Sequence, residues 1–388
     1  LILDSLMREK LWRDDTEVAE GRTRAFRLSV LAVIILLTSS IAQAQTPSPV
    51  PDQTSAQLTT VLEQLRARPL DAAKVAAARE MGFRLLSASR FEDAWSIFDA
   101  ILDGAPQDER ALYGGALALF NLRQLEAAER LARAAFAAIN SASRIAADAR
   151  AEGSNPEATR HAADALVLLG VILAVKGDSA GALKAVEESV ALAPDNFDAQ
   201  FALGRARFGT NNPAGAATAF RAAVRLRSND AQARFFLATA LEGAGDYEAA
   251  LSSYRELLTM RPESAEGHLG LGALLTKLGG EKTEEGIKEL ARATALNGEL
   301  YEARITLGRV LVRMGRAEEA VEHLQRAASL APNNPEPHYQ LAQAYRRLGK
   351  RVEADRENEI VKEIHAARRG QDTQPTPGMS SREPNPRP

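Results

Sequence analysis

The chain has 388 residues, 45% of them hydrophobic, enough to bury a sizeable core as one to three domains. Its 48 Lys+Arg against 51 Asp+Glu leave a net charge of −3, so nucleic-acid binding through a broad cationic field that displaces counterions is not expected. The absence of cysteine excludes disulfides, thiol chemistry, sulfur-ligated zinc and a lipidated N-terminal cysteine.

Residues 1–44 read as an export signal. Arg22, Arg24 and Arg27 precede the apolar run Leu28–Leu37, and small residues at Ala42 and Ala44 suit cleavage after Ala44. Acidic residues at Asp14, Asp15, Glu17 and Glu20 suit such a signal poorly, and the first residue is Leu, so the start expected for this segment lies downstream of residue 1. The alternative is a retained membrane anchor. A bilayer span takes about 20 apolar residues, more than this stretch offers. Removing residues 1–44 takes away six positive and six negative charges and leaves the net charge at −3. Residues 45–55, QTPSPVPDQTS, are Pro-rich and polar, a linker. Residues 56–74 then contain an amphipathic helix, expected to cover the N-terminal edge of the helical region after it.

From there the sequence repeats. A small residue stands at Gly82, Ala116, Gly170, Gly204, Ala238, Gly272, Gly308 and Ala342, in steps of 34 residues broken once by 54 and once by 36. A second register, Ala94, Ala128, Ala182, Ala216, Ala250, Gly286, Ala320 and Ala354, shows the same steps. Together they place a two-residue insertion in the GGEKTEE turn and a twenty-residue insertion between Ala128 and Gly170. Each unit carries apolar residues at helical spacing on both sides of a polar break, as at Gly243–Asp246. Pro106, Pro194, Pro262 and Pro332 stop the second helix. One helix pair cannot bury both its faces, so neighbours must stack into a continuous core.

The units resemble the tetratricopeptide repeat family. Leu169-Gly170, Leu203-Gly204, Leu271-Gly272 and Leu307-Gly308 match its Leu-Gly signature, and Phe98, Phe220 and Tyr254 match its later aromatic. Ser228 and Gly298 stand where the family has its terminal Pro, and Asn358 replaces the late aromatic of the last unit. The resemblance implies an all-α fold, a right-handed superhelical solenoid of antiparallel helix pairs. Eight units start near 75, 109, 163, 197, 231, 265, 301 and 335. Repeats 1–2 fill 75–142, a helical insertion 143–162, repeats 3–7 163–334, and repeat 8 with a capping helix 335–369; residues 370–388 form a disordered tail. In the insertion, one lengthened helix is expected to end near Ala151, and Asn155-Pro156-Glu157 to open the next. It is either a tolerated surface extension or a docking arm.

Signals for chemistry are missing. His161, His268, His323, His338 and His365 lack the spacing of metal ligands. The glycines of GHLGLGALLTKLGG lack the Lys-Ser/Thr ending of a phosphate loop, and no nucleophile elbow occurs. No catalytic residue, metal site or cofactor is expected, and no enzyme activity.

A protein-binding surface remains. In the resembled family the first helix of each unit lines a concave groove, which implies inward-pointing side chains at fixed positions here. The fifth residues are Arg79, Tyr113, Val167, Phe201, Phe235, Leu269, Ile305 and Tyr339, joined by the twelfth residues Phe120 and Phe208. This apolar stripe either anchors an extended peptide or partner helix or completes the packing between neighbouring first helices. Basic residues gather in the later turns, Arg205, Arg309, Arg313 and Arg346 among them, while Asp164, Asp198, Glu266, Glu302 and Glu336 stand second. Helix dipoles explain both rows; so does a basic wall that recognises acidic groups. The lysine clamp by which some family members hold C-terminal carboxylates is not matched, because no fifth residue is Lys. The expectation is an exported, periplasmic or secreted scaffold or adaptor that recruits partner proteins or peptides, with no nucleic acid. Alternatives are a membrane-tethered envelope assembly factor with the same solenoid and, less favoured, a saccharide-binding or enzymatic one.

Overall fold

The computed structural model describes residues 53–66, 71–150 and 156–372, and every regular element among them is a helix. A lone amphipathic helix, α1 (Gln53–Arg66), precedes eight antiparallel pairs. These are α2 (Ala72–Ser87) with α3 (Phe91–Leu102), α4 (Glu109–Asn121) with α5 (Leu125–Arg150), and α6 (Pro156–Val175) with α7 (Ser179–Leu192). Next come α8 (Phe197–Gly209) with α9 (Pro213–Leu226), and α10 (Ala231–Ala244) with α11 (Tyr247–Met260). The last three are α12 (Ala265–Leu278) with α13 (Lys282–Leu296), α14 (Tyr301–Arg313) with α15 (Ala317–Leu330), and α16 (Pro335–Arg347) with α17 (Arg351–Asp372). The chain divides into an N-terminal unit ending at Pro262 and a C-terminal unit from Glu263.

Six of the first helices begin where a short polar side chain accepts from the first turn, whereas α14 opens after Leu300 without such a cap. Asp71, Asp108, Asn196 and Asp230 accept from Ala73, Ala111, Ala199 and Ala233 in the N-terminal unit, at 2.7–3.1 Å. Ser264 and Asn334 do so in the C-terminal unit, accepting from Gly267 and Glu336. Such caps satisfy amides that the helix leaves unbonded, at about 1 kcal/mol each. Asp71 explains why the first repeat helix begins at Ala72, three residues before the expected start at 75.

The two registers of small residues are the contact points inside each pair. A Cβ on Gly82 would lie 2.6 Å from the Phe98 ring, and one on Gly204 would lie 2.6 Å from the Phe220 ring; between pairs, one on Gly114 would lie 2.3 Å from Phe98. In the C-terminal unit, a Cβ on Gly308 would meet Leu324 at 2.5 Å, and one on Gly272 would meet the Gly286 carbonyl oxygen at 2.8 Å. Opposite them, Ala94, Ala128, Ala216, Ala250 and Ala320 have no exposed surface. Phe98 and Phe220, fully buried, fill the space that their glycines leave open.

The twenty extra residues lengthen α5 to Arg150 and start α6 at Pro156. Near its base, the extension carries a small apolar cluster of Leu112, Ala135, Ala138, Ile139, Ala162 and Ala165. α6 is long and apolar enough to cross a membrane, but Leu166–Leu173 are buried in the N-terminal core, so protein already covers that surface. The turn that takes up the insertion of the C-terminal unit holds Gly279 and Gly280, whose φ of +76° and +58° lie in the left-handed region that glycine tolerates. The expected export signal (1–44) and residues 45–52 of the linker lie outside the described residues, as do 151–155 and tail residues 373–388. α1 starts at Gln53 and ends at Arg66, and α17 runs on to Asp372.

Candidate functional site

In the N-terminal unit, the first-helix residues divide into a packed stripe and a polar margin. Phe120, Phe201 and Phe235 are 4%, 8% and 5% exposed. The Phe201 ring stacks on Phe197 at 5.8 Å and meets Phe220 and Phe236 edge-on, each at 5.5 Å. Phe235 touches Phe236 and Tyr254, whose hydroxyl lies 3.3 Å from Thr239 Oγ1. As folded, these three rings are packing residues rather than exposed anchors, and Val167, also fifth in its unit, is fully buried. For Phe201 the physical reason is the next first helix, since Phe236 of α10 lies against it; Phe235 is covered within its own pair by Tyr254.

The margin is different. Tyr113 is half-buried, and burial, with the charges of Asp164 and Asp198, holds its phenol well above the ordinary range. Asp164 accepts from Asn196 Nδ2 at 2.8 Å, and burial still raises its carboxyl. Asp198 lies 3.6 Å from Arg227, which covers the Phe197 ring at 4.0 Å. Further along α8, Arg205 and Phe208 are half-buried on one face. Burial pushes the Arg205 guanidinium down to about 10, with no neighbouring charge contributing to the shift.

In the C-terminal unit the expected basic residues are exposed, and each has a partner. Arg309 lies 3.4 Å from Glu336 on the next first helix. Arg313 donates to the Thr276 carbonyl at 2.9 Å, and Arg346 donates to Asn358 Oδ1 at 2.9 Å. Tyr339 is 52% exposed. Tyr301, at the start of α14, accepts from Asn334 Nδ2 at 2.9 Å. Glu302 beside it has a carboxyl pushed up by burial, and its buried Oε2 finds no hydrogen-bond partner. Leu269 and Ile305, the remaining fifth residues of this unit, are buried.

Position four of the first helix is a recurring link that the sequence reading missed. Gln200, Arg234 and Arg304 each donate to the carbonyl of the residue six before, Pro194, Ser228 and Gly298. The two units lacking the terminal Pro are thus held by an arginine at the same turn. His268 and His338 at position four instead meet Glu289 and Glu357 on the second helix of their own pairs, both at 2.6 Å. His323 faces Arg304, and burial lowers its pKa. Among the described residues, no group of three or more His, Cys, Asp or Glu side chains could hold a metal ion.

Sequence profiles of the tetratricopeptide repeat match residues 138–197, 201–265, 237–299 and 308–349. The chain belongs to the tetratricopeptide repeat family. Among solved structures, the C-terminal part of a TPR repeat-containing protein from Cytophaga hutchinsonii has a TM-score of 0.52 at 15% identity, covering 68% of this chain and 99% of that one. PilF of Pseudomonas aeruginosa has a TM-score of 0.46 at 17% identity, covering 56% and 99%. YrrB, described as a TPR protein with an unusual peptide-binding site, has 0.40 at 20%, covering 49% and 99%. No curated protein matches. These tetratricopeptide repeats share with the Cytophaga protein a fold, and at 15% identity nothing finer.

Proposed function

We propose that this tetratricopeptide protein is an exported scaffold that recruits partner polypeptides on the first-helix faces of its repeats. The observation that carries the reading is the division of labour along those helices. The stripe facing the neighbouring repeat is consumed by packing, while the margin keeps Arg205, Phe208, Tyr113, Arg309 and Tyr339 at least partly accessible. Export rests on the basic, apolar and small-residue succession of residues 22–44.

Site-specific photocrosslinking tests the first part. A crosslinker at Phe208 or Tyr339 is expected to capture the same partner from the native envelope, and one at Arg123 or Lys288 is not. Equal capture from all four positions would refute the first-helix face as the binding surface. Mass spectrometry of the N-terminus tests the second part. A mature chain starting near Gln45 supports export with cleavage, whereas an intact apolar segment on membrane-associated protein would favour the tethered alternative.

A further inference from the structure

Arg205 is the arginine whose position ordinary packing explains least. Helix-dipole complementarity accounts for bases in a last turn, but Arg313 and Arg346 of the C-terminal unit and Arg207 nearby also find acceptors. Arg207 lies 3.2 Å from Glu187. Arg205 is half-buried yet makes no hydrogen bond or ion pair with any described residue. Asp164 and Asp198, the acids of this face, are engaged by Asn196 and Arg227. A guanidinium partly withdrawn from water without a counter-ion destabilises the free protein, because lost hydration is not replaced. The same arrangement favours binding: the desolvation has already occurred, so an incoming anion gains its hydrogen bonds with less offset.

The neighbours define the anion. Phe208 is three residues on and also half-buried, so ring and guanidinium lie side by side on one helical face. Phe201, four residues before Arg205 and so on the same helical face, is buried and apolar. A phosphate dianion calls for more than one cation, and Arg207, the nearest in sequence, is committed to Glu187. One singly charged carboxylate beside an apolar group matches one guanidinium beside a ring. We propose that Arg205 is the specificity-determining residue of the N-terminal unit, bonding an aspartate or glutamate side chain of a partner polypeptide whose adjacent apolar residue rests on Phe208.

The proposal rests on the scaffold reading above, and its test separates the two. The full chain is used to select from a displayed library of random decapeptides, with phosphoserine peptides as a second pool. The best peptide is then measured by fluorescence anisotropy beside its twin carrying Gln for the acid. Wild type should enrich peptides with Asp or Glu next to an apolar residue and bind the Gln twin at least tenfold more weakly. Arg205→Gln should bind both twins alike and weakly while melting at a higher temperature, and exposed Arg225→Gln should behave as wild type. Arg205→Lys, with the charge but not the fork, should keep part of the discrimination and guards against a misfolded first variant. Enrichment without an acid, preference for phosphoserine over Glu, or discrimination surviving in Arg205→Gln would overturn the assignment and leave the scaffold reading standing. No enrichment of any peptide would overturn both.

Discussion

Phe201 and Tyr339 occupy the same place in two repeats, and one is 8% exposed while the other is 52% exposed. Both stand fifth in a first helix, both are aromatic, and both helices open with an Asn cap. The difference lies in the next repeat. α8 is succeeded by α10, which brings Phe236 against Phe201. α16 belongs to the last pair among the described residues, so no further first helix covers Tyr339. A repeat position therefore has no burial of its own: it acquires one from the next copy. The charges divide similarly. In the C-terminal unit Arg309, Arg313 and Arg346 have acceptors, whereas in the N-terminal unit Arg205 has none.

The comparison can be broken hardest at the two rings. Phe201→Ala removes a ring held by Phe197, Phe220 and Phe236 and should lower unfolding free energy by about 3–5 kcal/mol, the range for large-to-small core changes. Urea titration followed by far-UV circular dichroism measures it, and a loss below about 1 kcal/mol would mean that the ring is not core. Tyr339→Ala, by contrast, should stay within about 0.5 kcal/mol of wild type while reducing capture of the crosslinked partner.

Intermediate in size is Glu302→Gln. Burial raises the folded pKa of Glu302, so the folded chain holds the proton more tightly than the unfolded one. Its contribution is fullest below the unfolded pKa, near 4, and is lost as pH rises through the raised folded value. At pH 7 the variant should be more stable than wild type by about 1 kcal/mol, with the gap closing as pH falls toward 4. An unchanged gap from pH 4 to 7 would refute the titration account.

Glu129 sharpens the contrast from the other unit with a smaller effect. Hydrogen bonds from Lys176 and Arg133 lower its pKa, so its stabilisation is present above the unfolded value and disappears as pH falls through the folded one. Glu129→Gln should melt slightly below wild type at pH 7 and together with it at strongly acid pH. The two variants should thus shift in opposite directions at neutral pH, and a shift of the same sign would undo the contrast.

Much of the fold was legible because a repeat states its geometry eight times. The spacing of small residues placed the helix pairs, and the breaks in that spacing placed both insertions, because close helix packing admits few residue types at its crossing points. Gly114 escaped notice: it lies two residues before the register position Ala116 and also receives the Phe98 ring. The binding face was less legible. Phe201 and Phe235 looked like anchors because position alone does not reveal what Phe236 and Tyr254 do to them. The turn bonds of Gln200, Arg234 and Arg304 were hidden because two kinds of side chain, an amide and a guanidinium, perform one task. Had their shared position been compared with the missing proline, two of the three could have been found.

Gly272 and Gly286 have a consequence for how such a chain can change. A Cβ on either one would come within 2.8–2.9 Å of backbone in the partner helix, Gly286 O and Leu290 N on one side, Gly272 O and Thr276 N on the other. At Gly82, Gly204 and Gly308 the small residue faces a side chain, Phe98, Phe220 or Leu324, which a second mutation can shorten to make room. Here the Leu290 and Thr276 side chains crowd the site too, but shortening them would leave the backbone atoms in place, and each glycine blocks the replacement of its partner. Neighbouring copies can therefore exchange bulk across a pair in compensating steps, but this pair offers no first step, and its two helices keep their spacing however far the rest of the unit drifts.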